Sequence, residues 1–94
     1  MLCTLLTACA TGSGHENFKA FMQRNVGKSI YDPSAYKNYY RDTFVTKKKL
    51  TNGNIEEEYE SVKNCQVFFE IDNSTKKIVR WRYEGTEQDC SIVP

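Results

Sequence analysis

The sequence predicts an α+β fold, with one or two N-terminal helices packed on a three- to four-stranded antiparallel sheet as a two-layer sandwich. Three observations predict it. Apolar residues recur at helical spacing only as far as Tyr40, two-residue alternation takes over from Phe44 onward, and Asn52-Gly53 marks a turn within the alternating region. The 94 residues make one domain, expected over 15–94, with a small core in which six Tyr, five Phe and one Trp offset a modest aliphatic content.

Ser13-Gly14-His15-Glu16 has the capping-box spacing, in which a hydroxyl and a carboxylate satisfy free N–H groups at a helix start. Phe18, Phe21, Met22 and Val26 then fall on one helical face, and Gly27 supplies the stop. A helix over about Glu16 to Val26 is expected, with this stripe against the sheet. Asp32-Pro33 reads as an N-cap followed by the helical position that tolerates proline, and Tyr36, Tyr39 and Tyr40 repeat at i, i+3 and i+4. A second, short helix from Pro33 to about Tyr40 is expected. Its phenols either line a groove or sit half in the core with wet hydroxyls, the commoner arrangement.

A two-residue type I′ turn at Asn52-Gly53 would set Leu50 opposite Ile55, and Lys49, Lys48 and Lys47 opposite Glu56, Glu57 and Glu58. The lysine run is then neutralised by the facing glutamates instead of serving a phosphate. Phe44, Leu50, Ile55 and Tyr59 share the inward face by period 2. Further on, Cys65, Val67, Phe69 and Ile71 alternate with Gln66, Phe68, Glu70 and Asp72, and Asp72 to Thr75 breaks the strand. The return strand runs from Ile78 to Glu84, with Val79, Trp81 and Tyr83 inward. Pairing Ile71 with Val79, Phe69 with Trp81, Val67 with Tyr83 and Glu70 with Arg80 makes the apolar and charged sets agree on one register, which also sets Cys65 opposite Gly85.

Leu6-Thr7-Ala8-Cys9 resembles the lipobox of bacterial lipoproteins, in which the cysteine is diacylated and the leader is removed before it. The resemblance implies lipidation at Cys9, with 1–8 a residual signal peptide and 9–14 a lipidated tether. The leader holds no Lys or Arg, so the recorded start is expected to lie inside a longer precursor. The membrane partner is reached through lipid, because a spanning helix needs about 20 apolar residues and polar Thr11 to Asn17 follow at once. Ala10 after the cysteine favours the outer membrane within the resemblance, with the domain in the periplasm of the bacterial envelope.

With Cys3 in the leader and Cys9 lipidated, Cys65 and Cys90 remain as a pair, expected to be disulfide-bonded in an oxidising compartment. Two reduced buried thiols are the alternative. A metal site is disfavoured, since there is no CxxC and only His15.

A formal charge of +1 and a pI near 7.6 argue against a nucleic-acid partner bound through phosphates. No catalytic set can be assembled: His15 lies in the expected tether or first turn, and Glu56 to Glu60 lie on a strand opposite lysines. No cofactor or small-molecule substrate is indicated, since the glycines form no phosphate loop. The chain therefore reads as no enzyme. Phe68 beside Arg80 and Arg82, on the outer face of the last two strands, is the candidate partner-binding patch, because aromatic and arginine side chains are enriched at interfaces.

Helix, short helix and antiparallel sheet behind a lipobox, with the strand Ile78-Val79-Arg80-Trp81-Arg82-Tyr83-Glu84-Gly85 ending toward Cys90, resemble the SmpA/OmlA lipoproteins. That resemblance implies a non-enzymatic protein-binding module supporting envelope integrity or outer-membrane assembly, with an envelope protein as partner. The alternative is an inhibitor of a secreted hydrolase, of the lysozyme or β-lactamase type, using the loop Asp72 to Lys77 or Thr86 to Asp89.

Overall fold

The computed structural model describes residues 13–62 and 64–92. The lipidation site Cys9, the residual leader and most of the tether lie outside the described residues.

Helix α1 spans Ser13–Arg24, and Phe18 and Met22, one turn apart on its inner face, are wholly buried. It already includes the three residues before Glu16, where the capping box was expected. The reason is tertiary: the Ile92 N–H donates to the Gly14 carbonyl at 2.9 Å and His15 Nδ1 donates to the Cys90 carbonyl at 2.8 Å, so the C-terminal segment holds this turn. The helix also ends earlier than Val26. The Asn25 carboxamide donates to the Phe21 carbonyl at 3.0 Å, and Gly27, at φ +92°, turns the chain toward the sheet as its N–H meets the Ile78 carbonyl at 2.8 Å.

Asp32 does cap the chain, but it caps a turn: its Oδ1 accepts the Ser34 N–H and hydroxyl, each at 2.8 Å. Ala35 is then extended (φ −74°, ψ 164°), so helix α2 covers only Tyr36–Tyr40, followed by one 3-10 turn, Arg41–Thr43. Tyr36 and Tyr40 are buried while Tyr39 is exposed, which settles two of the three phenols as core. Tyr36 stacks on Phe69 with ring centroids 3.9 Å apart.

Four strands, β1 (Phe44–Lys49), β2 (Ile55–Val62), β3 (Cys65–Ile71) and β4 (Ile78–Glu84), form an antiparallel meander in the order β1-β2-β3-β4. With the helices on one face, this is the α+β arrangement that the sequence predicts. In the last hairpin Val67, Phe69 and Glu70 pair with Tyr83, Trp81 and Arg80 as expected. Ile71 pairs with Ile78 rather than Val79, because a bulge absorbs one residue there and buries Ile78 in place of Val79.

The first hairpin differs from expectation by one residue. Lys49, Lys48 and Lys47 stand opposite Ile55, Glu56 and Glu57. The Leu50 N–H donates to the Asn54 carbonyl at 2.8 Å, which makes the loop Thr51-Asn52-Gly53, three residues long. Gly53 alone has positive φ (+91°); a type I′ turn would need it at Asn52 as well. The longer loop is anchored at a distance, since Asn52 and Asn54 both donate side-chain N–H groups to Glu70, at 3.0 and 2.8 Å.

The inner face of the sheet joins Tyr59, Val67, Phe69, Ile71 and Ile78 to Phe18, Met22, Tyr36 and Tyr40 in one core. Full burial of a side chain such as Phe69 contributes about 1.5–3 kcal/mol, and loops and caps position what surrounds it. Helix α1 packs on β4 and α2 on β2, whereas all six residues of β1 are exposed. Cys65 and Cys90 form the expected disulfide, with Cα atoms 5.3 Å apart. Gly85 makes this closure possible: a Cβ there would lie 2.6 Å from the Asn64 carbonyl oxygen and 3.0 Å from Cys90 Sγ.

Candidate functional site

Strand alternation puts Phe68, Arg80 and Arg82 together on the outer face of the sheet, with Phe68 directly opposite Arg82. Phe68 is not the exposed aromatic that its position suggests. It is only 7% accessible, because the Arg82 guanidinium lies over its ring, 3.7 Å from the centroid. Arg82 reaches two strands across to Glu56, with Nε and Nη2 each 3.2 Å from a carboxylate oxygen, and its Nη1 meets Glu84 at 3.0 Å. The Glu56 hydrogen bonds raise the Arg82 pKa further above its ordinary value. Next to it, Arg80 Nη1 lies 3.2 Å from Glu70.

The outer face is thus a cation-capped aromatic inside a ring of carboxylates. Glu56, Phe68, Glu70, Arg80 and Arg82 are among the residues around a shallow cleft of about 190 Å³. The cover of arginines explains why β3, read as half-buried, has both its inward residues and Phe68 and Glu70 buried. Glu70 holds its proton less readily than an ordinary glutamate. The Asn54 amide is the main cause, with Asn52 and Arg80 adding to it against the opposing effect of burial.

The inner face holds a residue that the sequence reading left on the wrong footing. Glu57 is 8% accessible and accepts hydrogen bonds on Oε1 from the hydroxyls of both Tyr36 and Tyr59, the latter at 2.6 Å. The signal was available: Glu57 is two residues from both Ile55 and Tyr59, so their inward face is also its own. Burial, reinforced by the Glu57 hydrogen bonds, pushes the Tyr36 and Tyr59 phenols up, and both remain donors at neutral pH. Burial likewise pushes Tyr40 up to about 12.

Two clefts flank this cluster. One, of about 330 Å³, is lined by Arg41, Phe44, Lys47, Glu57 and Tyr59. The other, of about 210 Å³, includes Ile30, Tyr31, Lys47, Glu57 and Lys76 in its lining. Together the clefts offer three cations, Arg41, Lys47 and Lys76, and the open rings of Phe44 and Tyr31 around a carboxylate whose Oε1 is already engaged.

His15 is better fixed than the expected tether position suggested. Nδ1 faces a carbonyl and so carries a proton, while Nε2 lies 3.4 Å from the Tyr83 hydroxyl. Its neighbours are Phe18, Tyr83 and the Cys90 backbone, which give it a packing role between helix and C-terminal segment. Among the described residues no group of three or more His, Cys, Asp or Glu side chains is placed to hold a metal ion, and no helix is long and apolar enough to cross a membrane.

The molecule is of the class of small α+β domains with an open four-stranded meander. Comparison with known proteins finds no matching family, no similar curated protein and no similar solved structure.

Proposed function

We propose that the chain is a non-enzymatic protein-binding module, held by lipid at Cys9 to the outer membrane of a bacterial envelope with its domain in the periplasm. In this role it binds an envelope protein and supports envelope integrity or outer-membrane assembly, as the SmpA/OmlA resemblance implies. The observation that supports protein binding is the one-sided cover of the sheet: the helices lie on the inner face, and the outer face presents the Arg82-capped Phe68 with Arg80 beside it. What this face offers a partner is arginine held in place over an aromatic ring, and arginine is enriched at protein interfaces. The lipobox residues Leu6 to Cys9 support the anchoring.

The test is recovery of envelope proteins with the full chain from detergent-extracted native membranes. Arg80→Glu, at a side chain 68% exposed, is expected to abolish the specific partner, and unchanged recovery rejects the outer-face site. Cys9→Ser is expected to move the protein from the membrane to the soluble fraction; unaltered fractionation rejects the anchor.

A second reading, inhibition of a secreted hydrolase, is favoured by the loop between β3 and β4. Asp72 Oδ1 accepts the Ser74 and Thr75 N–H groups, each at 2.8 Å, and Lys76 is held at φ +61°, so an exposed loop is fixed in shape before any encounter. Lysozyme and β-lactamase rates left untouched by excess protein reject that reading.

A further inference from the structure

Strand β1 stands at one end of the sheet order, so its outer edge has no hydrogen-bonded strand beside it among the described residues. All of its residues are exposed, including Phe44 at 48% and Val45 at 51%. Such an edge is a template for another strand unless something blocks it. Here the blocking residues are Lys47, Lys48 and Lys49, and they block selectively.

Side chains of a strand project above and below the sheet, so a neighbour on either side meets the same set. On its inner side β1 meets acid: Thr46, Lys47 and Lys48 stand opposite Glu58, Glu57 and Glu56. Those glutamates are largely committed elsewhere, Glu57 to two phenols and Glu56 to Arg82. Lys48 approaches Glu56 at 3.9 Å, while Lys47 and Lys49 have no ion pair within 4 Å among the described residues. Lys47 and Lys49, exposed and free of ion pairs shorter than 4 Å among the described residues, can thus each meet a carboxylate brought to the free edge. A second copy is a poor occupant, since β1 against β1 sets lysine against lysine, and the opposite edge strand, β4, carries Arg80 and Arg82.

We propose that the β1 edge binds an extended acidic segment of a protein partner, which adds to the sheet as a fifth strand. Its carboxylates lie along Lys47, Lys48 and Lys49, and an apolar side chain at one end enters the 330 Å³ cleft beside Phe44 and Tyr59. Main-chain hydrogen bonds supply the binding and charge selects the sequence. The proposal rests on the protein-binding reading and gives that partner a chemistry.

The probe is a fluorescein-labelled synthetic peptide with the sequence of residues 54–61, Asn-Ile-Glu-Glu-Glu-Tyr-Glu-Ser, titrated into the full-length protein. Saturable binding is expected, weakened at least tenfold in 0.5 M salt and at least tenfold when lysine replaces each peptide glutamate. N-methylation of alternate peptide amides should abolish it, and amide shifts should cluster on Phe44–Lys49. The paired change Lys47→Gln, Lys49→Gln, with the thermal transition measured alongside, should lose at least tenfold in affinity while keeping the fold.

Equal binding of the lysine peptide, equal binding of the N-methylated peptide, or shifts centred on Ile78–Glu84 overturns the proposal. Its failure is separable from failure of the protein-binding reading. A membrane partner lost on Arg80→Glu but retained by the double glutamine variant refutes the β1 site alone. A wild-type chain that retains no envelope protein refutes the general reading, whatever the peptide does.

Discussion

The Tyr36 hydroxyl donates to the carboxylate of Glu57, so the short helix is tied to a strand by a polar bond inside an aromatic core. The same oxygen accepts from Tyr59 at 2.6 Å. A buried carboxylate is tolerated when such donors replace lost water, and a hydrogen bond to a charged group is worth about 1.5–3 kcal/mol. Tyr36→Phe keeps the ring stacked on Phe69 and is expected to lower the unfolding free energy by about that amount. Glu57→Gln keeps an acceptor and should cost less than Glu57→Ala, which strands two phenols. Urea unfolding of the three variants decides it; equal losses for Gln and Ala contradict the acceptor role.

The two glycines that turn the sheet should respond differently to alanine. Gly53 has φ +91° with nothing within 4 Å of a new Cβ, so only backbone strain opposes the change. About 1 kcal/mol is expected. Gly85 combines φ +141° with a Cβ 2.6 Å from a backbone oxygen and 3.0 Å from Cys90 Sγ. Gly85→Ala should therefore cost more than about 2 kcal/mol, the range where steric clash joins strain. Denaturation midpoints in the oxidised protein give the comparison.

These details divide what the sequence makes legible from what it hides. Val67 with Tyr83 and Glu70 with Arg80 could be paired from the chain alone, because two independent alternations, apolar and charged, select one register. In the first hairpin Asn52-Gly53 is compatible with two loop lengths. The choice is made by Asn52 and Asn54 reaching Glu70, a strand away, which no local pattern reveals. The outer patch was legible as a set of residues but not as a surface. Phe68 and Arg82 share a face by period 2, yet only the fork from Arg82 to Glu56 brings the guanidinium down onto the ring. The buried Glu57 follows from the same periodicity as its neighbours, but the lysines facing the Glu run mask it in the sequence.

Acid should loosen the anchor between the first loop and β3. The Glu70 carboxyl titrates below its ordinary value of 4.5, chiefly through the Asn54 amide. A group depressed in the folded state stabilises fully above its unfolded pKa and loses that contribution as pH falls through the folded one. Asp32 and Asp72, also lowered by backbone N–H groups of their turns, shift wild type and variant alike. The stability difference between wild type and Glu70→Gln should thus hold steady from neutral pH to about 5 and close below about 4.5. A difference that persists undiminished at pH 2 assigns the loss to shape instead of charge.

Reduction of the Cys65–Cys90 bond should act on one corner of the molecule first. The bond joins the start of β3 to the C-terminal segment, whose hydrogen bonds to α1 among the described residues are Ile92 N–H to the Gly14 carbonyl at 2.9 Å, His15 Nδ1 to the Cys90 carbonyl at 2.8 Å and Asn17 to Ile92 at 3.4 Å. A loop of this length contributes roughly 3 kcal/mol in the chain-entropy view, a large part of a small domain's margin. The reduced protein, or the Cys65→Ala, Cys90→Ala variant, is expected to lose about that much. Its Ile92 amide should exchange with deuterium before those of β2 and β3, since the segment opens while the central strands stay paired. Because His15 stacks against Phe18 and faces Tyr83, the released corner also exposes the first turn of α1. Simultaneous exchange at Ile92 and Phe69 would show that the bond supports the whole core and not its edge.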